Sequence, residues 1–421
     1  MYKKSDLALY GGAMARTSAE IEMFPGGLSY DEKEEQAVME VLKSKRLFRY
    51  YGPYESVSRV EDFEKAFAAY SGTEYCLALN SCTNALIAAL IAAGLQPGDE
   101  VIVPAYTFVA TVAAVVAANA IPVICEVDDT LTLDPKDIKR NITSKTKAIL
   151  PVHMRGAPCQ MDEIMAIAKK HDLKVIEDVA QATGGSYKGK KLGSIGDAGC
   201  FSLQYHKVIT SGEGGVLITN DQKLYYRSLS VHDTGANWRT NETTEDDIPF
   251  SGFNMRMTEI QGALGYVQLG KLDDLIGKMR TYKKKIKDAI SKYDVVFRRI
   301  IDDGEIAVCL MFFLPDTVIT GHIADALKAE GLDAGTMGQP DIPDWHIYIN
   351  WKHILNRRGN NDVGFPFTLS DRTYSADMCP KTLDYLRRAI HLDINPLWTD
   401  QDVEEVITGL DKVLSVLMVT N

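Results

Sequence analysis

EVIVPAYTFVATVAAVVAANAIPVICEV (residues 100–127) is followed by KAILPVHM (147–154), MDEIMAIAKKHD (161–172) and KVIEDVA (174–180). The stretch alternates short apolar runs with longer amphipathic or alanine-rich ones. Runs of five to seven branched apolar residues suit strands buried on both faces, and the longer segments suit helices. Strand and helix in turn predict a mainly parallel sheet covered on both sides, an α/β architecture. Such sheets collect their ligands at the carboxyl ends of the strands. Tyr106 and Phe108 follow one run, His153 another and Asp178 a third, so these residues belong at that edge.

The pattern extends in both directions. DEKEEQAVMEVLKS (31–44) reads as a charged amphipathic helix, and an aromatic loop, LFRYYGPY (47–54), comes after it. Residues 58–70 read as a helix and EYCLALN (74–80) as a strand. SCTNALIAALIAAG (81–94) reads as a helix with Ser81 or Thr83 at its start. GCFSLQY (199–205) and GGVLITND (214–221) read as an antiparallel pair, which makes the sheet mixed. GALGYVQLGKLDDLIGKMRTYKKKIKDAI (262–290) reads as one long helix, and beyond about 295 the strict alternation ends. Two domains are therefore expected: residues 1–275, with the N-terminal segment, and a smaller C-terminal α/β domain over 276–421.

Bulk properties narrow the chemistry. The 421 residues carry a net charge of −11, so no basic field points to nucleic acid. Pro104, Thr107, Thr111, Asn119 and Pro122 interrupt the most apolar stretch, which excludes a membrane span there. The opening MYKKSDLALYGG lacks the apolar run of a signal peptide. Seven cysteines are spaced singly, with no C-x-x-C pair, which fits a reducing compartment. A cytoplasmic protein is the expectation. No H-E-x-x-H or comparable cluster appears, so no metal is expected.

Three elements could carry chemistry. Lys207, in LQYHKVITSGEGG (203–215), sits among apolar and aromatic residues. A lysine amine is a nucleophile only when deprotonated, which such surroundings favour; an ordinary solvated lysine is the alternative. Asp178 ends an apolar strand, where its carboxylate could hold a pyridine nitrogen protonated or could simply cap a backbone amide. NSCTNAL (80–86) opens a helix whose first amides, with the Ser81 and Thr83 hydroxyls, suit an anion such as phosphate or only cap the helix. Phe108 on its own would ordinarily be core.

Taken in order, NSCTNAL, PAYTFVAT (104–111), EDVAQATGG (177–185), the block Phe201, Ser202, Lys207, Gly212, Glu213, Gly214 and Gly215, and FNMRMTEIQGALG (253–265) resemble the DegT/DnrJ/EryC1/StrS family of sugar aminotransferases. The resemblance runs from about residue 23 to about 415. It implies a fold type I transferase that uses pyridoxal 5′-phosphate and passes an amino group from glutamate or glutamine to a sugar-like keto acceptor. By position, Lys207 matches the lysine that forms the Schiff base and moves the proton. Asp178 matches the acid paired with the pyridinium, Gln181 the partner of the ring's 3-hydroxyl, and Phe108 the aromatic stacked on the ring. Cys82, Thr83 and Ser202 match phosphate-binding positions, although glycine is usual where Cys82 stands. Asn254 matches an asparagine that reaches the phosphate in a neighbouring subunit, which implies a homodimer with shared sites.

Some relatives carry His at the position of Lys207 and act as dehydratases; Lys207 favours aminotransfer. A binding protein without activity is the other rival, opposed by the intact set Asp178, Gln181, Ser202 and Lys207. LFRYYGP and PDWHIYINWKHI (343–354) look like the branch that aminates an eight-carbon keto-sugar acid, forming 8-amino-3,8-dideoxy-octulosonate. For that acceptor's carboxylate, Arg49 is the first expected contact and Arg239 the second, because a guanidinium fork matches a carboxylate. Arg46, Arg155 and Arg256 are further possible clamps. His153 and His346 are expected near the substrate.

Overall fold

The computed structural model describes residues 2–18, 27–50, 58–236, 250–338 and 343–418. In chain order the strands are β1 (Tyr75–Leu79), β2 (Glu100–Pro104), β3 (Ile121–Cys125), β4 (Thr146–Ile149), β5 (Lys174–Asp178), the short pair β6 (Ser186–Tyr187) and β7 (Lys190–Lys191), β8 (Ala198–Ser202), β9 (Gly215–Thr219), β10 (Val296–Phe297), β11 (Cys309–Phe313), β12 (Ala334–Thr336) and β13 (Ala389–Asp393). The large sheet has the order β1-β9-β8-β5-β4-β2-β3. From β8 to β3 every pairing is parallel, whereas β9 runs antiparallel to both β8 and β1. The expected mixed, mainly parallel sheet is thus present, and β8 and β9 are the expected antiparallel pair. Strands β2, β3, β8 and β9 are buried at every position, because helices cover both faces.

Local chemistry sets the helix ends. Asp31 caps Glu32–Ser44 in a reciprocal box with Glu34. Ser81 caps Cys82–Ala92 by accepting a hydrogen bond from the Asn84 amide at 3.1 Å. The long helix expected over 262–290 is instead two, Glu259–Leu269 and Leu272–Ile290, divided at Gly270 and Lys271. The expected domain boundary falls inside the second of them.

The C-terminal sheet, in the order β10-β11-β13-β12, is antiparallel throughout. Helices Thr317–Ala329, Pro380–Arg388 and Asp400–Leu417 accompany it. The N-terminal segment, grouped from sequence with the large sheet, is tied to this part of the chain. The amides of Ala8 and Ala15 donate to the Glu330 carboxylate at 2.8 and 2.9 Å, and Arg16 pairs with Asp402.

One crossing matters for function. The segment 345–348 lies along residues 105–109: the amides of Thr107 and Val109 donate to the carbonyls of His346 and Trp345 at 2.9 and 3.0 Å, and the Tyr348 amide donates to the Ala105 carbonyl at 3.1 Å. A piece of the C-terminal third is thereby fixed over the carboxyl end of β2.

Candidate active site

A cavity of about 720 Å³ opens at the carboxyl ends of β2, β5 and β8. Lys207 and Asp178 both line it. Lys207 rides on the loop between β8 and β9, and that loop is braced from within. The Thr210 hydroxyl donates to the Leu203 carbonyl and accepts from the Gly212 amide, both at 2.8 Å, and the Tyr30 hydroxyl donates to the Thr210 carbonyl at 2.8 Å. Gly212 adopts φ +82°, a turn that glycine makes without strain. Burial holds the Lys207 amine below its ordinary pKa, which favours the neutral, nucleophilic form.

Asp178 closes β5 with a carboxylate that accepts from the Thr111 hydroxyl at 2.8 Å and from the Ala180 amide at 3.0 Å. Burial pushes its pKa up, against the pull of those two donors. A carboxylate so placed gains from a cation brought into the cavity. The capping alternative is therefore part of its environment, yet the residue still faces the cavity. Gln181 lines the same cavity, and its side-chain oxygen accepts from the Arg155 amide at 3.0 Å.

Ser81, Cys82 and Thr83 also line the cavity, at the amino end of Cys82–Ala92. First-turn amides there lack intrahelical acceptors and suit an anion. The glycine at 215 is explained by the same corner: a Cβ on Gly215 would lie 2.3 Å from the Ser81 carbonyl, so β9 can pass the helix start only without a side chain. The Cys82 thiol is buried and its pKa is pushed up by that burial, so it remains protonated. Ser202 ends β8 at the cavity, and its hydroxyl accepts from the Gln204 amide at 3.3 Å.

Phe108 is no core residue: it is 44% exposed and presents its ring to the cavity, 5.3 Å from the ring of His346. The His346 Nδ1 lies 2.8 Å from the Asp344 carboxylate, and burial lowers its pKa. His346 joins the site as expected.

Other expected residues do not. Arg49 is buried away from the cavity, in an ion pair with Glu64, whose other oxygen accepts from the Ala78 amide at 2.6 Å. In this chain it is paired in the interior and does not line the cavity. His153 is fully buried and outside the cavity lining. Its Nδ1 accepts from the Cys159 amide at 3.0 Å, and its Nε2 sits 2.9 Å from Glu177, so both ring nitrogens are engaged in the frame. Asn254, expected in a neighbouring subunit's site rather than its own, is exposed, lies outside the lining of this chain's cavity and pairs through its backbone with Asp233. Arg239 lies outside the described residues. All seven cysteines are buried and unbridged, as small core residues.

Two participants had weak signals in the sequence. Thr111 belongs to the helix after Phe108, and its partner Asp178 is 67 residues away. Arg155, one of several possible clamps, is brought to the cavity wall by the turn after β4. Tertiary packing also gathers Cys309, His391 and Asp393 within 4.8 Å of one another, a group that no local spacing discloses. Among the described residues no helix is long and apolar enough to cross a membrane.

Comparison with known proteins agrees with this geometry. Residues 29–337 match the DegT/DnrJ/EryC1/StrS aminotransferase family. The chain is 44% identical over 365 residues to the GDP-perosamine synthase of Caulobacter vibrioides, covering 85% of this chain and 91% of that protein. It is 36% identical over 372 residues to a putative L-glutamine:3-amino-2,3-dideoxy-scyllo-inosose aminotransferase of Streptoalloteichus tenebrarius, with coverages of 85% and 87%. An aminotransferase structure from Psychrobacter cryohalolentis superposes with a TM-score of 0.79 at 28% identity, over 94% of this chain and 99% of that one.

Proposed function

The chain belongs to the DegT/DnrJ/EryC1/StrS aminotransferase family, and from that premise we propose that it moves an amino group from glutamate or glutamine to a keto carbon of a sugar-like acceptor. The observation that carries this reading is the shared cavity of Lys207 and Asp178, an amine whose pKa burial lowers and a buried carboxylate.

The residues fit pyridoxal 5′-phosphate. The first turn at Ser81–Thr83, with Ser202, would hold the phosphate; Asp178 the ring nitrogen; Gln181 the 3-hydroxyl; and the open face of Phe108 the ring. When bound, this group supplies a carbonyl for the amino group and a ring that accepts electrons from the substrate carbon. Asp178 would keep the ring nitrogen protonated, and Thr111 and Ala180 fix the carboxylate's direction. Lys207 would release the carbonyl on arrival of the donor amine and then carry a proton to and from the substrate carbon. Phe108 and His346 would exclude water from one side and face the acceptor.

For the acceptor, a nucleotide-linked keto-sugar has the support of the similarity to a GDP-perosamine synthase. An eight-carbon keto-sugar acid is the second reading, carried by the segments 47–54 and 343–354. Asn254, exposed and away from its own cavity, suits a homodimer in which each chain completes the other's site. Cysteines that are all buried and unbridged suit the cytoplasm. The test is incubation with pyridoxal phosphate, glutamate or glutamine, and a panel of nucleotide-linked keto-sugars, keto-cyclitols and octulosonate aldehydes, read by mass spectrometry. An aminated product is expected; amination of none, with loss of water from a keto-sugar instead, overturns the reading.

A further inference from the structure

The turn at Met154–Gly156 holds Arg155 in a backbone conformation that side chains rarely adopt, φ +52°. Strain of this kind persists only where the surroundings over-determine it. Here they do. The Arg155 amide is held by Gln181, and the Gly156 carbonyl accepts from the Ile306 amide at 3.0 Å. A Cβ on Gly156 would come within 2.7 Å of the Ile306 side chain, so that neighbour packs tightly on the turn. The result is a guanidinium in the cavity wall whose side chain is 11% exposed.

That guanidinium is incompletely answered. Asp393 lies 3.7 Å from Nη1, and the same carboxylate oxygen is 2.7 Å from His391 Nε2. Tyr106 offers its hydroxyl as a neutral partner. The buried Nε has no hydrogen-bond partner among the described residues. A buried donor on a charged group without an acceptor is costly and calls for an explanation. A metal at Cys309, His391 and Asp393 is not that explanation, because the arginine already brings a cation to Asp393.

We propose that Arg155 receives the α-carboxylate of the amino donor, an α-amino acid; the proposal rests on the aminotransferase reading above. The α-carboxylate is attached to the carbon that must meet Lys207, so its binding group has to lie in the same cavity, close to that amine. Arg155, Lys207 and Gln181 line one cavity, and the arginine's charge acts on the Lys207 amine; the anion-binding turn at Ser81–Thr83 would serve the phosphate. A guanidinium fork grips a carboxylate in two parallel bonds, which a lysine cannot reproduce. In the second half-reaction a keto-sugar brings no carboxylate to this point, and Asp393 and Tyr106 remain to hold the arginine.

The experiment follows the two half-reactions separately, by the cofactor's absorbance, in wild type, Arg155→Lys and Arg155→Met. The donors are L-glutamate and L-isoglutamine, which differ only in that the second has an α-carboxamide. Wild type should prefer glutamate by roughly 10²-fold, the scale of a hydrogen-bonded charge contact. Arg155→Met should bring that ratio close to one, Arg155→Lys should fall between, and the rate with the keto-sugar should change by no more than about threefold. Equal use of isoglutamine by wild type overturns the proposal without any variant. So does a preference retained in Arg155→Met, or an equal loss in the keto-sugar half-reaction. A wild type inert towards every amino acid overturns the aminotransferase reading itself and takes this assignment with it.

Discussion

The Thr111 hydroxyl points at Asp178 and donates a hydrogen bond of 2.8 Å to one oxygen of its carboxylate. The bond joins the helix after β2 to the end of β5 and orients a group whose burial alone would favour the neutral acid. Asp178→Asn is expected to bind pyridoxal phosphate and lose roughly 10²-fold or more in rate, since an amide cannot hold a protonated ring nitrogen. Thr111→Val should lose about one tenfold step, the value of one hydrogen bond to a charged group. Steady-state rates decide it: near-normal turnover in Asp178→Asn would reduce the residue to a cap on Ala180.

Lys207→Ala should abolish turnover and leave the fold intact. Borohydride reduction of wild type loaded with pyridoxal phosphate should trap the label on the peptide containing Lys207; label on another lysine defeats the assignment. The pH dependence has a defined sign. Burial lowers the amine's pKa, so the nucleophilic form persists to lower pH than for an exposed lysine and is lost as pH falls through the lowered value. The negative charge of Asp178 acts the other way and favours the protonated amine. Asp178→Asn should therefore move the acid limb of cofactor attachment to still lower pH, which stopped-flow absorbance can follow.

Arg49 is expected to act on stability. Breaking a buried ion pair from one side leaves an uncompensated charge, at a cost of about 3–5 kcal/mol. Arg49→Met should lower the urea midpoint accordingly, and the double variant Arg49→Met/Glu64→Gln should recover part of the loss. A raised acceptor KM with an unchanged urea midpoint would return Arg49 to the substrate.

A composite site predicts complementation. Lys207→Ala and Asn254→Ala should each be inactive. A mixture that has exchanged subunits should regain activity, because one of the two sites in a mixed dimer would have both residues. Exchange verified by mass, with no regain, would show that each chain builds its own site.

The large sheet and much of the cavity were legible in the linear sequence. Branched apolar runs ending at Pro104, Ile149 and Asp178 specify buried parallel strands, and such strands place the following residues at one edge. That reasoning puts Phe108 and Asp178 at one edge, and the family resemblance adds Lys207 and the Ser81–Thr83 turn. The single long helix failed as an expectation because apolar periodicity runs on through Gly270, and periodicity does not register a break between two helices that bury the same side.

Arg49 and Arg155 mark the limit. Both are arginines among apolar or aromatic neighbours, and the linear pattern favours neither. Glu64 decides the first, by meeting it inside the protein. The turn after β4 and the strands β11 and β13 decide the second, by setting a guanidinium in the cavity wall beside Asp393. Hydrophobic periodicity is a short-range property, so the sequence by itself determined the strands, their order of hydrophobic burial and the residue types at the sheet's edge. Arg155 meets Asp393 only once the two sheets have packed, and Arg49 meets Glu64 only once the helix Arg59–Ser71 has folded against β1. Which charge is spent on the interior and which is left facing a ligand was settled by the tertiary structure alone.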